Sequence, residues 1–306
     1  MMIAKPTPEA IAQAGGIIRR GGLVAFPTET VYGLGGNALD PEAVARIYRA
    51  KERPFANPLI VHVADEAMAR SLVLDWPPLA EKLSARFWPG PITIVLRKAE
   101  VVPDLVTAGL DSVGMRIPAH PVALALIRAA GVPVAAPSAN RFTQISPTSA
   151  QHVERALGNT IEMILDGGQT DIGIESTVIT LRRTPPTILR PGMISQRELE
   201  QATGVLWECE EDRPRITDEA AESPGLHPKH YAPRTPLYVL EPDATHPSGR
   251  GKVIDLPSDP KRYAHQLYAA LHNADGEGWD WLAVRKPPDE PEWAGILDRL
   301  RRASAQ

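Results

Sequence analysis

Short apolar runs alternate with segments of helical period along most of the chain. Ile11, Ala14 and Ile18 recur at helical spacing behind Thr7-Pro8-Glu9, which supplies a capping hydroxyl, a proline for the first turn and an early acid. Gly21-Gly22 ends that segment, and Leu23-Val24-Ala25-Phe26 reads as a buried strand. Asp40-Pro41 opens a second helix with Val44, Ile47 and Tyr48 inward, stopped by Pro54. The pattern then predicts strands over residues 59–63, 92–96, 112–118, 132–136, 163–165, 175–179 and 188–192. Helices are expected over 65–74, 78–87, 121–130, 146–157 and 195–203. An acidic, helix-poor stretch covers 208–222. Beyond it, strands at 237–240, 252–256 and 281–284 with helices at 263–271 and 293–302 make a small module. Such alternation argues an α/β class with a mixed sheet and ligand loops at strand ends.

Length and charge sharpen this picture. A chain of 306 residues favours two domains. The divisions expected are 1–204, a linker over 205–234 and a short C-terminal α/β domain over 235–306. The net charge is −4, with the acidic excess after residue 200, so local cations rather than a global field must hold any anionic ligand. Cys209 is the single cysteine, which excludes an intrachain disulfide and a multi-cysteine metal site. The first residues lack the apolar core of a signal peptide, and no apolar run approaches the ~18–20 residues of a membrane span. A cytoplasmic protein is expected.

The polar points fall mostly at strand ends: Thr28, Thr30, Lys51, Arg53, His62, Arg116, Ser138, Asn140, Ser146, Ser176 and Arg190. If residues 51–53 are extended, Lys51 and Arg53 point the same way and converge on one spot, which suits a polyphosphate. Pro27-Thr28-Glu29-Thr30-Val31-Tyr32-Gly33-Leu34-Gly35-Gly36 reads as a glycine-bearing ligand loop, matching neither the dinucleotide fingerprint nor the Walker loop. Arg116 on an apolar strand requires an anionic partner if buried. No acid pair, cysteine–histidine arrangement or metal-ligand run stands out. Cations, hydroxyls and amides suit phosphoryl or nucleotidyl transfer, where positioning and charge neutralisation outweigh a side-chain nucleophile.

The ordered set Pro27-Thr28-Glu29-Thr30-Val31-Tyr32-Gly33-Leu34, Lys51-x-Arg53-Pro54, Pro58-Leu59 with His62, Pro137-Ser138-Ala139-Asn140, Ser176-Thr177-Val178 and Arg190-Pro191-Gly192 resembles the YrdC-like family. Ser223-Pro224-Gly225 with Lys229-His230-Tyr231-Ala232-Pro233 is similar to the linker of its longer, two-domain form, the threonylcarbamoyl-AMP synthases. The resemblance implies a twisted mixed sheet with flanking helices and a small Rossmann-like C-terminal module, shortened here. It implies a nucleotidyltransferase that converts L-threonine, bicarbonate and ATP to threonylcarbamoyl-AMP and pyrophosphate. The product would go to the machinery that threonylcarbamoylates tRNA, leaving room for a weak RNA contact. By the same resemblance Thr30, His62, Arg116, the backbone of Ala136 and Ser176 would hold threonine. Lys51, Arg53, Asn57, Ser112, Ser138, Asn140, Ser146, Arg190 and Tyr231 would hold ATP, with Lys51 and Arg53 catalytic and Tyr231 on a lid. Mg2+ would travel with ATP, without a protein cage of its own.

Two alternatives stand beside this. A carbamoyl-adenylate enzyme of the same family would normally carry acylphosphatase or zinc-finger modules, and neither motif is here. A non-catalytic RNA-binding module would want a basic face with interleaved aromatics, which the near-neutral first 200 residues lack.

Overall fold

The computed structural model describes residues 1–210, 223–224, 229–241 and 247–305. Its strands are Met2–Ala4 (β1), Val24–Pro27 (β2), Tyr32–Asn37 (β3), Ile60–His62 (β4), Ile92–Arg97 (β5), Ser112–Arg116 (β6), Val134–Ala135 (β7), Met163–Leu165 (β8), Thr177–Thr180 (β9), Thr187–Arg190 (β10), Glu208–Cys209 (β11), Leu237–Leu240 (β12), Gly251–Ile254 (β13) and Trp281–Arg285 (β14). The helices are Pro8–Arg19 (α1), Pro41–Lys51 (α2), Glu66–Arg70 (α3), Pro78–Phe87 (α4), Asp104–Thr107 (α5), Pro121–Ala130 (α6), Ala150–Leu157 (α7), Gln196–Thr203 (α8), Pro260–Ala274 (α9) and Ala294–Ala303 (α10).

The first eleven strands form one mixed sheet in the order β1-β8-β2-β3-β7-β4-β6-β5-β9-β10-β11, and β12-β14-β13 form a separate parallel sheet. Helix starts follow the sequence closely. Thr7, Asp40, Asp65 and Ser195 accept backbone N–H groups at their helix N-termini, and Ser195 with Glu198 completes a capping box. The helix expected from Ser146 begins only at Ala150, because Ser149 provides the cap. The expected linker begins later than residue 205, since β11 pairs in parallel with β10 at the sheet edge. The remainder of the acidic stretch and residues 225–228 lie outside the described residues.

Two local expectations are corrected. The glycine-bearing segment after Thr30 is not a loop but β3, antiparallel to β2 with Phe26 opposite Gly33. Its glycines make room for neighbours: a Cβ at Gly35 would lie 2.7 Å from Phe26 Cε1 and 2.9 Å from Val134 Cγ1. Gly35→Ala should therefore cost about 1–3 kcal/mol of overpacking, read as a lowered urea midpoint with unchanged slope. Residues 51–53 are not extended. Val44, Ile47, Tyr48 and Lys51 follow a helical i, i+3, i+4, i+7 series, so Lys51 ends α2 on its buried face. Glu52 then turns the chain in the left-handed region at φ 54°, and Arg53 N–H bonds back to Tyr48 O.

The C-terminal module docks on the large sheet. Its core, built on Leu237, Leu267, Tyr268, Leu282, Ile296 and Leu300, is continuous with Val31, Ile145 and Ile174 of the first unit. At the contact, a Cβ on Gly295 of α10 would stand 2.6 Å from Gly192 O, so the two backbones touch.

Candidate active site

The elements that carry the expected residues converge on one cavity. Its walls include Thr28 and Thr30 from the β2–β3 turn, Arg53 after α2, His62 on β4, Arg116 on β6, Ala136 and Ser138 after β7, Glu175 and Ser176 before β9, and Arg190 on β10. Pro224, His230 and Tyr231 close it. The space they leave is about 50 Å3, enough for a few waters and far short of a nucleotide.

The turn at its floor is held by Thr28, whose hydroxyl donates to Val31 O at 2.6 Å and accepts from the N–H groups of Thr30 and Val31. This places Thr30 Oγ1 3.0 Å from Arg116 Nη1 as acceptor. Arg116 Nε donates to Gly90 O, and Nη2 lies 2.6 Å from Glu29 Oε1, with both side chains buried. The anionic partner that a buried Arg116 demands is thus Glu29. His62 sits opposite Arg116 in the β4–β6 register. Burial, with Arg116 nearby, pushes its imidazole down to about 3, so it is neutral across the physiological range. Ala136 N–H donates to Ile60 O at 3.0 Å.

Three other cations form the opposite side, and each is held by backbone carbonyls. Lys51 Nζ donates to Ser138 O and Asn140 O, Arg53 to Asn57 O and Pro58 O, and Arg190 to Ser176 O and Pro224 O. Among the described residues none of the three pairs with a carboxylate. Burial, then its neighbour Arg53, drives the Lys51 ammonium well below the usual lysine range, although Glu175 opposes this. Burial likewise lowers Arg53 to about 10 and lowers Arg190.

Nine of the fourteen expected residues line the cavity itself: Thr30, Arg53, His62, Arg116, Ala136, Ser138, Ser176, Arg190 and Tyr231. Lys51, Asn57 and Asn140 stand just behind it through the carbonyl contacts above. Ser112 lines a second, smaller cavity that shares Ile60 and Pro224 with the first. Ser146 faces away, its hydroxyl 2.5 Å from Glu175 Oε1. Four of these residues carry buried polar atoms with no protein partner: His62 Nδ1, Ser112 Oγ, Asn140 Oδ1 and Tyr231 Oη. Buried polar groups are rarely left so, and two of the four, on His62 and Tyr231, belong to residues that line the cavity.

Three residues of the site escaped the sequence reading: Glu29, Glu175 and His230. Glu29 had a visible signal, an acid between two hydroxyls opposite a strand arginine. Glu175 had none, because its partners come from the distant module. His230 packs edge-on against Tyr231 and Phe142, and burial followed by Arg53, Lys51 and Arg190 holds it well below the usual histidine range. Tyr231 adopts φ 60°, a strained backbone for an aromatic residue, at the place where the closing segment enters the cavity.

A mixed sheet whose strand ends gather an arginine–carboxylate pair on one side and carbonyl-held cations on the other defines an α/β protein with a buried, cation-rich cavity at its strand ends. Residues 16–192 match the family model Sua5_yciO_yrdC, described as "Telomere recombination", and residues 194–305 match Sua5_C, described as "Threonylcarbamoyl-AMP synthase, C-terminal domain". The Threonylcarbamoyl-AMP synthase of Pyrococcus abyssi is 41% identical over 95% of this chain and 93% of its own. That of Bacillus subtilis is 39% identical over 96% and 92%. The crystal structure of P. abyssi Sua5 complexed with L-threonine superposes with a TM-score of 0.90 at 39% identity, covering 99% of this chain and 96% of that one. The chain belongs to the two-domain threonylcarbamoyl-AMP synthase family. Among the described residues no helix is long and apolar enough to cross a membrane.

Proposed function

We propose that the chain joins L-threonine, bicarbonate and ATP into threonylcarbamoyl-AMP and pyrophosphate, as a nucleotidyltransferase supplying tRNA threonylcarbamoylation. The observation that carries this is the cation trio Lys51, Arg53 and Arg190, buried and, among the described residues, with no carboxylate within ion-pair distance. Buried charge of this kind is expensive unless a partner arrives, and a triphosphate supplies it. The name of the P. abyssi relative and its threonine complex support the amino-acid half of the reading.

Threonine would lie with its carboxylate on Arg116, assisted by Thr30, His62, Ser176 and the Ala136 carbonyl. Its amine takes up CO2 derived from bicarbonate and loses a proton, giving a carbamate. A carbamate oxygen then attacks the α-phosphorus, the bond to the β-phosphate oxygen breaks, and pyrophosphate leaves. Lys51 and Arg53 offset the charge that develops, while Arg190, Ser138, Asn140, Asn57, Ser112 and Tyr231 hold the nucleotide. Ser146 would act through Glu175 rather than by touching ATP. For a nucleotide to enter, the segment of Pro224, His230 and Tyr231 must swing out and reclose as a lid. We expect Mg2+ to come with the nucleotide rather than to sit in a protein cage of its own.

The test is pyrophosphate release from ATP with each substrate left out in turn, and the adenylate product identified by mass. Release should require both threonine and bicarbonate. Release without threonine, or with carbamoyl phosphate in its place, would replace this reading by another member activity of the family.

A further inference from the structure

Among the described residues Glu175 is the one acidic side chain in the cavity's walls, and its carboxylate points out of the cavity toward the C-terminal module. Oε1 accepts from Ser146, while Oε2 accepts from Arg299 Nε at 2.7 Å and from Tyr268 Oη at 3.1 Å. Arg299 reaches further, donating through Nη2 to Glu175 O at 3.3 Å and through Nη1 to Pro191 O and Asp298 Oδ2. Arg299 is fully buried, on the helix whose Gly295 touches Gly192.

A carboxylate beside Arg190 and Lys51, both held only by carbonyls, will pair with one of them unless another cation claims it first. Pairing with Arg190 would withdraw that guanidinium from an incoming polyanion and leave negative charge facing it. We propose that Arg299 and Tyr268 of the C-terminal module are positioning residues for the polyphosphate side of the site: by claiming Glu175 they keep Arg190 and Lys51 free for the ligand. This rests on the ATP reading above and assigns the module a part in the chemistry of the first unit.

The groups that face Glu175 are Arg190, Lys51, Tyr231, Tyr268 and Arg299, with Asp298 behind Arg299. Burial alone would raise its carboxyl; Arg299 and Arg190 outweigh burial and hold it below the ordinary carboxylate range. Without Arg299 that carboxyl titrates at higher pH, and once protonated it no longer competes for Arg190.

The experiment uses the full chain with Arg299→Met, Tyr268→Phe and the double variant Glu175→Gln/Arg299→Met. Equilibrium binding of ATP and KM for ATP and for threonine are followed across pH. Arg299→Met should weaken ATP about tenfold at neutral pH and leave threonine within about twofold, a split that a general loss of packing does not produce. The ATP defect should shrink toward acid pH, and the double variant should restore ATP binding. Tyr268→Phe, which leaves every charge in place and so guards against a misfolded Arg299→Met, should weaken ATP about threefold. Equal losses for both substrates, an ATP defect independent of pH, or normal ATP affinity in both single variants would each overturn the proposal. A wild type that binds ATP with this variant pattern but releases no pyrophosphate would sink the synthase reading and keep this one.

Discussion

Lys51→Met should lower threonine-dependent pyrophosphate formation about 10²–10³-fold, the usual effect of removing one preorganised charge-stabilising donor, while the protein stays folded. Methionine keeps most of the lysine stem's volume and discards the charge. Lys51 is 1% exposed, with two carbonyl acceptors and no carboxylate partner among the described residues. Losing the donor to Ser138 O and Asn140 O costs about 1–3 kcal/mol, and the relief of an unpaired buried ammonium opposes that cost. The two effects nearly cancel, so the thermal midpoint should move by only a few degrees.

The pH dependence of stability reports the cost of burying that charge. The folded protein holds the Lys51 ammonium well below its unfolded range, by burial first and Arg53 second. A lysine depressed in this way destabilises the fold at low pH, where it must be charged. That penalty is relieved as pH rises from the folded value toward the unfolded one, because the unfolded state then binds more protons. The difference in unfolding free energy between wild type and Lys51→Met should therefore shift in favour of the wild type as pH rises. A variant that makes pyrophosphate at the wild-type rate would remove Lys51 from the chemistry, whatever its stability did.

How much of this was legible beforehand depends on the distance over which each residue finds its partners. The helices with local caps, such as Pro121–Ala130 and Gln196–Thr203, could be read almost to the residue, since Pro121, Ser195 and Glu198 act within one turn. Lys51 was legible as a site residue but its backbone was misjudged, because Glu52 takes a left-handed conformation that no glycine or asparagine announces. The glycines of Tyr32–Asn37 looked like a loop since nothing in the sequence shows Phe26 and Val134 pressing on Gly35 from two neighbouring strands. Glu175 was invisible for the same reason on a larger scale: Arg299 is 124 residues away along the chain. Motifs show which groups a site contains, whereas the counter-charges that sort those groups into free and committed come from tertiary contact.

That sorting predicts the second large effect. Arg116→Met should abolish saturation by threonine and destabilise the fold by about 3–5 kcal/mol, because it strands Glu29 as an unpaired buried carboxylate. Glu29→Gln/Arg116→Met removes both charges together and should recover most of that stability, since the two side chains touch and their effects cannot add. It should not recover threonine, because the guanidinium that would meet the substrate carboxylate is still missing. Urea denaturation and threonine titration of the pyrophosphate rate, run on both variants, read the two effects separately. If Arg116→Met alone were as stable as the wild type, Glu29 would not depend on Arg116. If the double variant regained threonine saturation, the carboxylate of the amino acid would bind elsewhere, and the division of the cavity into an amino-acid side at Arg116 and a polyphosphate side at Lys51, Arg53 and Arg190 would fail.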